Sequence, residues 1–159
     1  MADLTLRRYR PADADAVWDL HERALRDAGG WDEAFAHRDT DLRSVQSEYL
    51  DAGGEFLVGH RHGSLVAMGA FHPHVDDADA MVLRRMRVDP AHQRRGYGTR
   101  VLNELEARAR KRGYDRAELD TTTVQTAAMA FYEQHGYEQV GEEYVDPADM
   151  TLVFYEKNL

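Results

Sequence analysis

The sequence predicts an α+β domain: a central mixed, mostly antiparallel sheet of about seven strands with helices on both faces. Three observations carry the prediction. Three alternating apolar segments follow one another between residues 55 and 88, and two more close the chain between residues 137 and 156. Neighbours joined by short turns pair antiparallel. A strand, a helix over residues 97–112 and a further strand make one parallel step. Helical periodicity recurs before and between these runs, with no repeats, low-complexity tracts or linkers, so residues 1–159 read as a single domain.

Taken in order, residues 4–10 alternate like a strand and stop at Pro11, which has no N–H for a ladder. A helix follows, with Asp13 as its N-cap and Ala16, Val17, Leu20, Ala24 and Leu25 on one face, ended by Gly29-Gly30. Residues 31–35 form a loop or short helix, and residues 40–50 a second helix carrying Leu42, Val45 and Tyr49, closed by Gly53-Gly54. Strands at 55–61 and 64–71 flank His62-Gly63, a hairpin signal. The strand at 81–88 meets Pro90. Beyond it Val101, Leu102, Leu105 and Ala109 recur at helical spacing, and Gly113 stands where a C-cap belongs. A strand at 116–121, a helix at 125–135 stopped by Gly136, and strands at 137–145 and 150–156 around Asp146-Pro147 complete the chain.

Composition removes several classes of function. The chain is acidic, 29 acids against 20 bases giving −9, with Lys111 and Lys157 as its only lysines. A general nucleic-acid partner needs a basic face, so none is expected. No apolar run reaches membrane-spanning length, and the N-terminus lacks a signal-peptide pattern. With no cysteine, disulfides, thiolate metal sites and a cysteine nucleophile are excluded, and a cytoplasmic location is the simplest consequence. His60-x-His62 and His72-x-His74 each place two imidazoles on one side of an extended segment, but no third ligand is near in sequence, and no metal is expected.

The segment Gln93-Arg94-Arg95-Gly96-Tyr97-Gly98 concentrates the chemistry. Its glycines let the backbone bend tightly and approach a ligand, and a loop of free N–H groups feeding a helix N-terminus suits an anion. An ordinary strand-loop-helix connection would use the same glycines. Local charge tips the balance. Arg84, Arg85, Arg87, Arg94, Arg95 and Arg100 face Asp89 alone, so this window stands at +5 in a chain of −9. A P-loop would need Gly-Lys-Ser/Thr, and a dinucleotide fingerprint would need glycine where Val101 stands.

What remains resembles the pyrophosphate loop of GNAT superfamily N-acetyltransferases, Gln/Arg-x-x-Gly-x-Gly/Ala, and the order of elements matches that fold end to end. A second segment, Ala127-Ala128-Met129-Ala130-Phe131-Tyr132-Glu133-Gln134-His135-Gly136-Tyr137, resembles the family's Ala-x-x-x-Tyr-x-x-x-Gly-Phe/Tyr helix. Read without the family, Tyr132 could equally anchor the core through its ring. The resemblance implies acetyl-CoA as cosubstrate, no metal, and Tyr132 beside the thioester sulfur as donor to the leaving thiolate. It implies that Met86, Arg87 and Val88 pair with the pantetheine arm like an added strand, with the Val88 N–H facing the thioester oxygen. Gln93, Arg94, Arg95, Gly96, Tyr97, Gly98 and Thr99 would hold the pyrophosphate. Gln125 stands where many members carry asparagine, and Ala128 and Phe131 would line the same groove. The family's usual base is a glutamate on the strand holding Met86, where this chain has arginines; His72, His74, Glu118 and Asp120 are the alternatives.

The implied activity is acetyl transfer to a primary amine, on a small molecule or a peptide or protein, by direct attack. Neither nucleic acid nor membrane is implied, and a homodimer is open. Acids around residues 31–35 and 144–149 (Asp32, Glu33, Asp146, Asp149, with Glu143 beside them) suit a cationic acceptor. The rival reading is a catalytically inactive acyl-CoA-binding regulatory module, which the missing strand glutamate favours and Tyr132 opposes.

Overall fold

In the computed structural model, which describes residues 3–29 and 39–159, the chain lays seven strands into one sheet. They are β1 (Thr5–Arg8), β2 (Glu55–Arg61), β3 (Ser64–Pro73), β4 (Ala80–Val88), β5 (Arg116–Thr122), β6 (Glu138–Val145) and β7 (Met150–Asn158). Three α-helices, α1 (Ala14–Asp27), α2 (Tyr97–Lys111) and α3 (Thr126–Gln134), complete the layers. The strand order is β1-β2-β3-β4-β5-β7-β6, and only β4 and β5 run parallel. None of the helices among the described residues is long and apolar enough to cross a membrane.

Strand alternation splits the core in two. Leu57, Ala67, Phe71, Met81 and Leu83 face α2 and α3, where Val101, Leu102, Leu105 and Ala109 of α2 are all fully buried. Phe56, Val58, Met68 and Ala70 face the other way, onto Val17 and Leu20 of α1 and onto Leu42, Val45 and Tyr49. Each large side chain so buried stabilises by roughly 1.5–3 kcal/mol. The β2–β3 turn has positive φ at both His62 (51°) and Gly63 (80°), the backbone that a two-residue hairpin turn requires.

Several elements differ from the sequence expectation, each for a local reason. Asp13 stands at the N-cap position of α1, but its side chain makes no capping bond to that helix. Its carboxylate instead accepts from the Arg10 N–H at 2.8 Å and from the Arg7 guanidinium at 2.7 and 2.8 Å, closing a short turn at Pro11–Asp13. Ala16 is exposed, and the buried stripe of α1 is Val17, Leu20, His21, Ala24 and Leu25. Residues 31–35 lie outside the described residues. The helix expected at 40–50 is a 3-10 turn over residues 39–43 followed by one π-type turn at Gln46–Leu50, although Leu42, Val45 and Tyr49 are buried as the pattern required. Asp39 and Asp41 both bind the Arg85 guanidinium, and residues two apart on an α-helix point in different directions.

That guanidinium belongs to a β-bulge. Met68 pairs with Arg87 and Ala70 with Arg84, so Arg85 and Met86 together oppose Gly69, and Arg85 has φ of 61°. On its other side β4 pairs with β5 only through Ala80, Met81 and Val82, opposite Arg116, Ala117 and Glu118. A bulge bends its strand and increases the local twist, and beyond Val82 the two parallel strands separate.

Gly69 makes the bulge possible. A Cβ there would stand 2.5 Å from Met86 Sδ, 2.7 Å from Val101 Cγ1 and 2.9 Å from Leu105 Cδ1. Gly69→Ala should therefore cost about 1–3 kcal/mol in urea denaturation, the usual range for overpacking. Unchanged stability would show that the bulge and α2 do not depend on this close approach.

Candidate active site

Where β4 and β5 part, a cleft of about 680 Å³ opens, bordered by the end of β4, the start of α2, the start of α3 and the last turn of α1. Its backbone is polar in a specific way. Asp89 N donates to Val66 O at 2.8 Å and Val88 lies opposite Ala67. Adjacent residues in an antiparallel strand alternate direction, so the Val88 N–H points away from β3, to the side where β5 has already left. At the start of α2, Arg94 (φ 64°) and Gly96 (φ 80°) are both left-handed, and the first helical bond runs from Arg100 N to Gly96 O at 3.1 Å. The N–H groups of Tyr97, Gly98 and Thr99 thus have no acceptor within the helix. Such a concave row of N–H groups at a positive helix end suits an anion.

The residues singled out in the sequence gather here. Met86, Arg87, Val88, Gln93, Arg94, Gly96, Tyr97, Gly98, Thr99, Gln125, Ala128, Phe131 and Tyr132 all border this one cleft; Arg95 does not. The arginine excess is less concentrated than the window count suggested. Arg85 is spent on Asp39 and Asp41, Arg100 donates to Leu4 O at 2.6 Å, and Arg84 borders a separate cavity, leaving Arg87 and Arg94 on the cleft. The two glycines also differ in purpose. A Cβ on Gly96 would meet nothing within 4 Å, so that residue is required by its positive φ. On Gly98 it would stand 3.3 Å from Phe131 Cε1, so that residue is required by the packing of α2 on α3.

Tyr132 stands on α3 with its ring edge-on to Phe131 and Tyr137, at centroid distances of 5.3 and 5.7 Å. Its ring is therefore part of the core while its flank forms cleft wall. Burial pushes its hydroxyl up to about 12, with the Arg87 charge pulling the other way. The phenol stays protonated at physiological pH and has an O–H to donate. His135 fixes α3 to α2: its Nδ1 faces the Phe131 carbonyl at 2.7 Å, so that nitrogen carries the proton. In the neutral ring, Nε2 then accepts from the Thr99 hydroxyl at 3.0 Å.

None of His72, His74, Glu118 and Asp120 borders the cleft. His72 and His74 line a second cavity of about 380 Å³, Glu118 pairs with Arg116 at 2.8 Å, and Asp120 is exposed on β5. Among the described residues no three His, Asp or Glu side chains gather to hold a metal ion.

What sequence reasoning missed is a buried polar cluster on the α1 side. His21 is fully buried, its Nε2 lies 2.9 Å from Asp39 Oδ2, and Asp39 Oδ1 accepts from Arg85 at 2.9 Å. Burial pushes the His21 imidazole down, against the Asp39 hydrogen bond. Burial pushes the Asp39 carboxyl up, but the His21 hydrogen bond and the Arg85 charge more than offset this. The only sequence signal was a histidine four residues after Val17 on the apolar stripe of α1.

The Acetyltransferase (GNAT) family matches residues 14–137. This chain belongs to the GNAT acetyltransferase family. It is 31% identical over 110 residues to human N-acetyltransferase 8, a match covering 66% of this chain and 48% of that protein. It is 31% identical over 142 residues to the amino-acid acetyltransferase of Azotobacter vinelandii, covering 87% of this chain and 32% of that one. The chain thus spans about half and about a third of those two relatives. With the IAA acetyltransferase of Azospirillum brasilense it shares 29% over the full length of both. Among solved structures, a GNAT-family acetyltransferase of Staphylococcus aureus superposes at TM-score 0.84 and 18% identity over 98% of this chain and 99% of the other. The PaiA N-acetyltransferase of Thermoplasma acidophilum, in complex with coenzyme A, superposes at 0.78 and 17% over 100% of both. These structures share the fold.

GNAT enzymes use acetyl-CoA, without a metal, and this cleft fits such a cosubstrate on its own terms. The left-handed loop offers N–H groups for a pyrophosphate, and the unpaired outer edge of β4 offers a place for an amide-bearing arm. Gly96→Asp forces a side chain onto positive φ and sets a negative charge in the anion site. Equilibrium titration should show acetyl-CoA affinity reduced about tenfold or more, the scale of one lost charge-assisted contact. Affinity equal to the parent would move the pyrophosphate off this loop.

Proposed function

We propose that the chain transfers the acetyl group of acetyl-CoA to a primary amine by direct attack, with no covalent enzyme intermediate. One juxtaposition carries the reading: the Tyr132 flank, the outward Val88 N–H and the anion loop all border one cleft, with no cysteine in the chain. Acetyl-CoA supplies an activated acyl carbon on a thiol leaving group. The amine nitrogen bonds to that carbon, the carbon–sulfur bond breaks, and the amine proton passes to solvent as coenzyme A departs.

The protein's own groups act at two points. The Val88 N–H is aimed to stabilise the charge that develops on the thioester oxygen. The Tyr132 hydroxyl stabilises the departing sulfur by hydrogen bonding. Full proton transfer is not its task, since a thiol has pKa about 8.5 and this phenol lies near 12. Among the described residues the cleft wall carries one carboxylate, Asp27, and one imidazole, His92. An amine that is already neutral needs no base from this wall. An α-amine near pKa 7.8 is about a quarter neutral at pH 7.4, against roughly one molecule in a thousand for a lysine side chain near 10.4. Accessible amines of low pKa, such as a peptide α-amine, fit best.

Thiol release from acetyl-CoA against amino acids, polyamines and peptide N-termini tests the reading. Turnover should rise with pH to the acceptor amine's own pKa. Tyr132→Phe should lower kcat about 10²-fold while acetyl-CoA binding stays within a factor of about two. Tight acetyl-CoA binding with no thiol release on any amine would instead support a regulatory acyl-CoA-binding module. An unchanged kcat in Tyr132→Phe would remove that hydroxyl from the mechanism.

A further inference from the structure

Arg87 carries a charge that the acetyl-donor chemistry does not use. Its neighbours Met86 and Val88 pack against the α2-side core. Alternation along β4 sends the intervening side chain the other way, into the electrostatic reach of Asp39 and Arg85 while it still borders the cleft. Nη1 donates to the Met86 carbonyl at 2.8 Å, and Nε is buried without a partner. The carboxylate whose charge acts on it, Asp39, is already bound to His21 and Arg85, each at 2.9 Å. Arg84 and Arg85 add like charge beside it. Among the described residues no carboxylate forms an ion pair with this guanidinium.

The residue is half-buried, but its enclosed Nε is left without a partner, which is costly unless a ligand in the cleft supplies the acceptor. Burial, reinforced by Arg85, pulls the guanidinium down to about 10, so it remains a cation at neutral pH. The anion it awaits can be found by elimination. The phosphates of acetyl-CoA belong to the loop at the start of α2. The pantetheine arm and the thioester carry no charge, and Tyr132 is a neutral phenol. In the ground state only the acceptor remains.

We infer that the Arg87 guanidinium binds a carboxylate of the acceptor, so the amine acetylated here is carried on a small carboxylate-bearing molecule of the amino-acid class. This rests on the transferase reading above and reverses the sequence expectation of a cationic acceptor. The acids behind that expectation do not border the cleft: Glu143, Asp146 and Asp149 lie on or beside the β6–β7 hairpin, and Asp32 and Glu33 are outside the described residues. A guanidinium fork matches a carboxylate in shape and supplies direction as well as charge, so it would orient the amine toward the thioester.

The test uses the full chain and R87Q and R87K variants, checked for folding by melting, with acetyl-CoA saturating for each. Acceptors are the common L-amino acids and their carboxamides. An amino-acid amide has the less basic amine, so amine availability alone would favour the amides. We expect the reverse in the parent protein: kcat/KM at least tenfold higher for an acid than for its amide. R87Q should collapse that ratio to about one, and R87K should retain part of it, the scale expected for one hydrogen-bonded charge. Amides equal to or better than acids in the parent would overturn the inference. So would an equal fall for both in R87Q, which would assign the guanidinium to the leaving thiolate.

If no amine releases thiol, the transferase reading fails, and calorimetric binding of the same panel to the acetyl-CoA-loaded protein decides this one separately. Amino acids bound by the parent, not by R87Q, and more tightly than their amides would uphold it. Binding without that discrimination, or no binding of any panel member, would overturn it.

Discussion

The separation of β4 from β5 beyond Val82 is the constraint on which the rest depends. It is produced by one extra residue in β4, the bulge at Arg85 and Met86 opposite Gly69. Two devices hold the bulge from opposite faces. On one, Asp39 and Asp41 take the Arg85 guanidinium, whose side chain is only 8% exposed. On the other, Met86 and the helix α2 press onto a residue with no Cβ. Removing a partner from such a buried ion cluster typically costs about 3–5 kcal/mol, because it strands the remaining charge. The cluster is therefore the part of the α1 side that determines the shape of the cleft, and of its acids Asp41 sits in, and Asp39 just before, the segment where a regular helix was expected.

The same bulge sets the chemistry. It restores strand alternation in a new phase, so that Met86 and Val88 join the α2-side core while Arg87 faces the α1 side. The Val88 N–H then looks into open space rather than at a neighbouring strand. A single insertion in the ladder thus creates the gap, aims one backbone donor into it and brings a guanidinium to its edge.

Local signals made much of this legible in advance. The His62-Gly63 turn, the periodicity of α2, Gly113 at its end and the Gln93–Gly98 loop each follow from short-range rules, and the structure places each as expected. The cleft residues were legible because the loop, the end of β4 and α3 are each recognisable alone. What was not legible was tertiary. Nothing in the string Arg84-Arg85-Met86-Arg87 says which arginine turns inward to acids some 45 residues earlier, as Arg85 does toward Asp39 and Asp41 at separations of 46 and 44. Counting charge in a window therefore overstated the basic character of the cleft. His21 looked like an interruption of an apolar stripe because its partner, Asp39, lies 18 residues away. Asp13 satisfied the composition rule for a cap, but Arg7 and the Arg10 N–H had the prior claim.

Hydrogen exchange with and without saturating acetyl-CoA tests most directly that the β4–β5 gap is the donor site. The account predicts slowed exchange at residues 86–88, 94, 96–99, 124–128 and 131, which border the cleft, and no change at residues 48–52 and 72–75 beside the second cavity. Acetyl-CoA that binds without protecting residues 94 and 96–99, or that protects the second cavity instead, would contradict it.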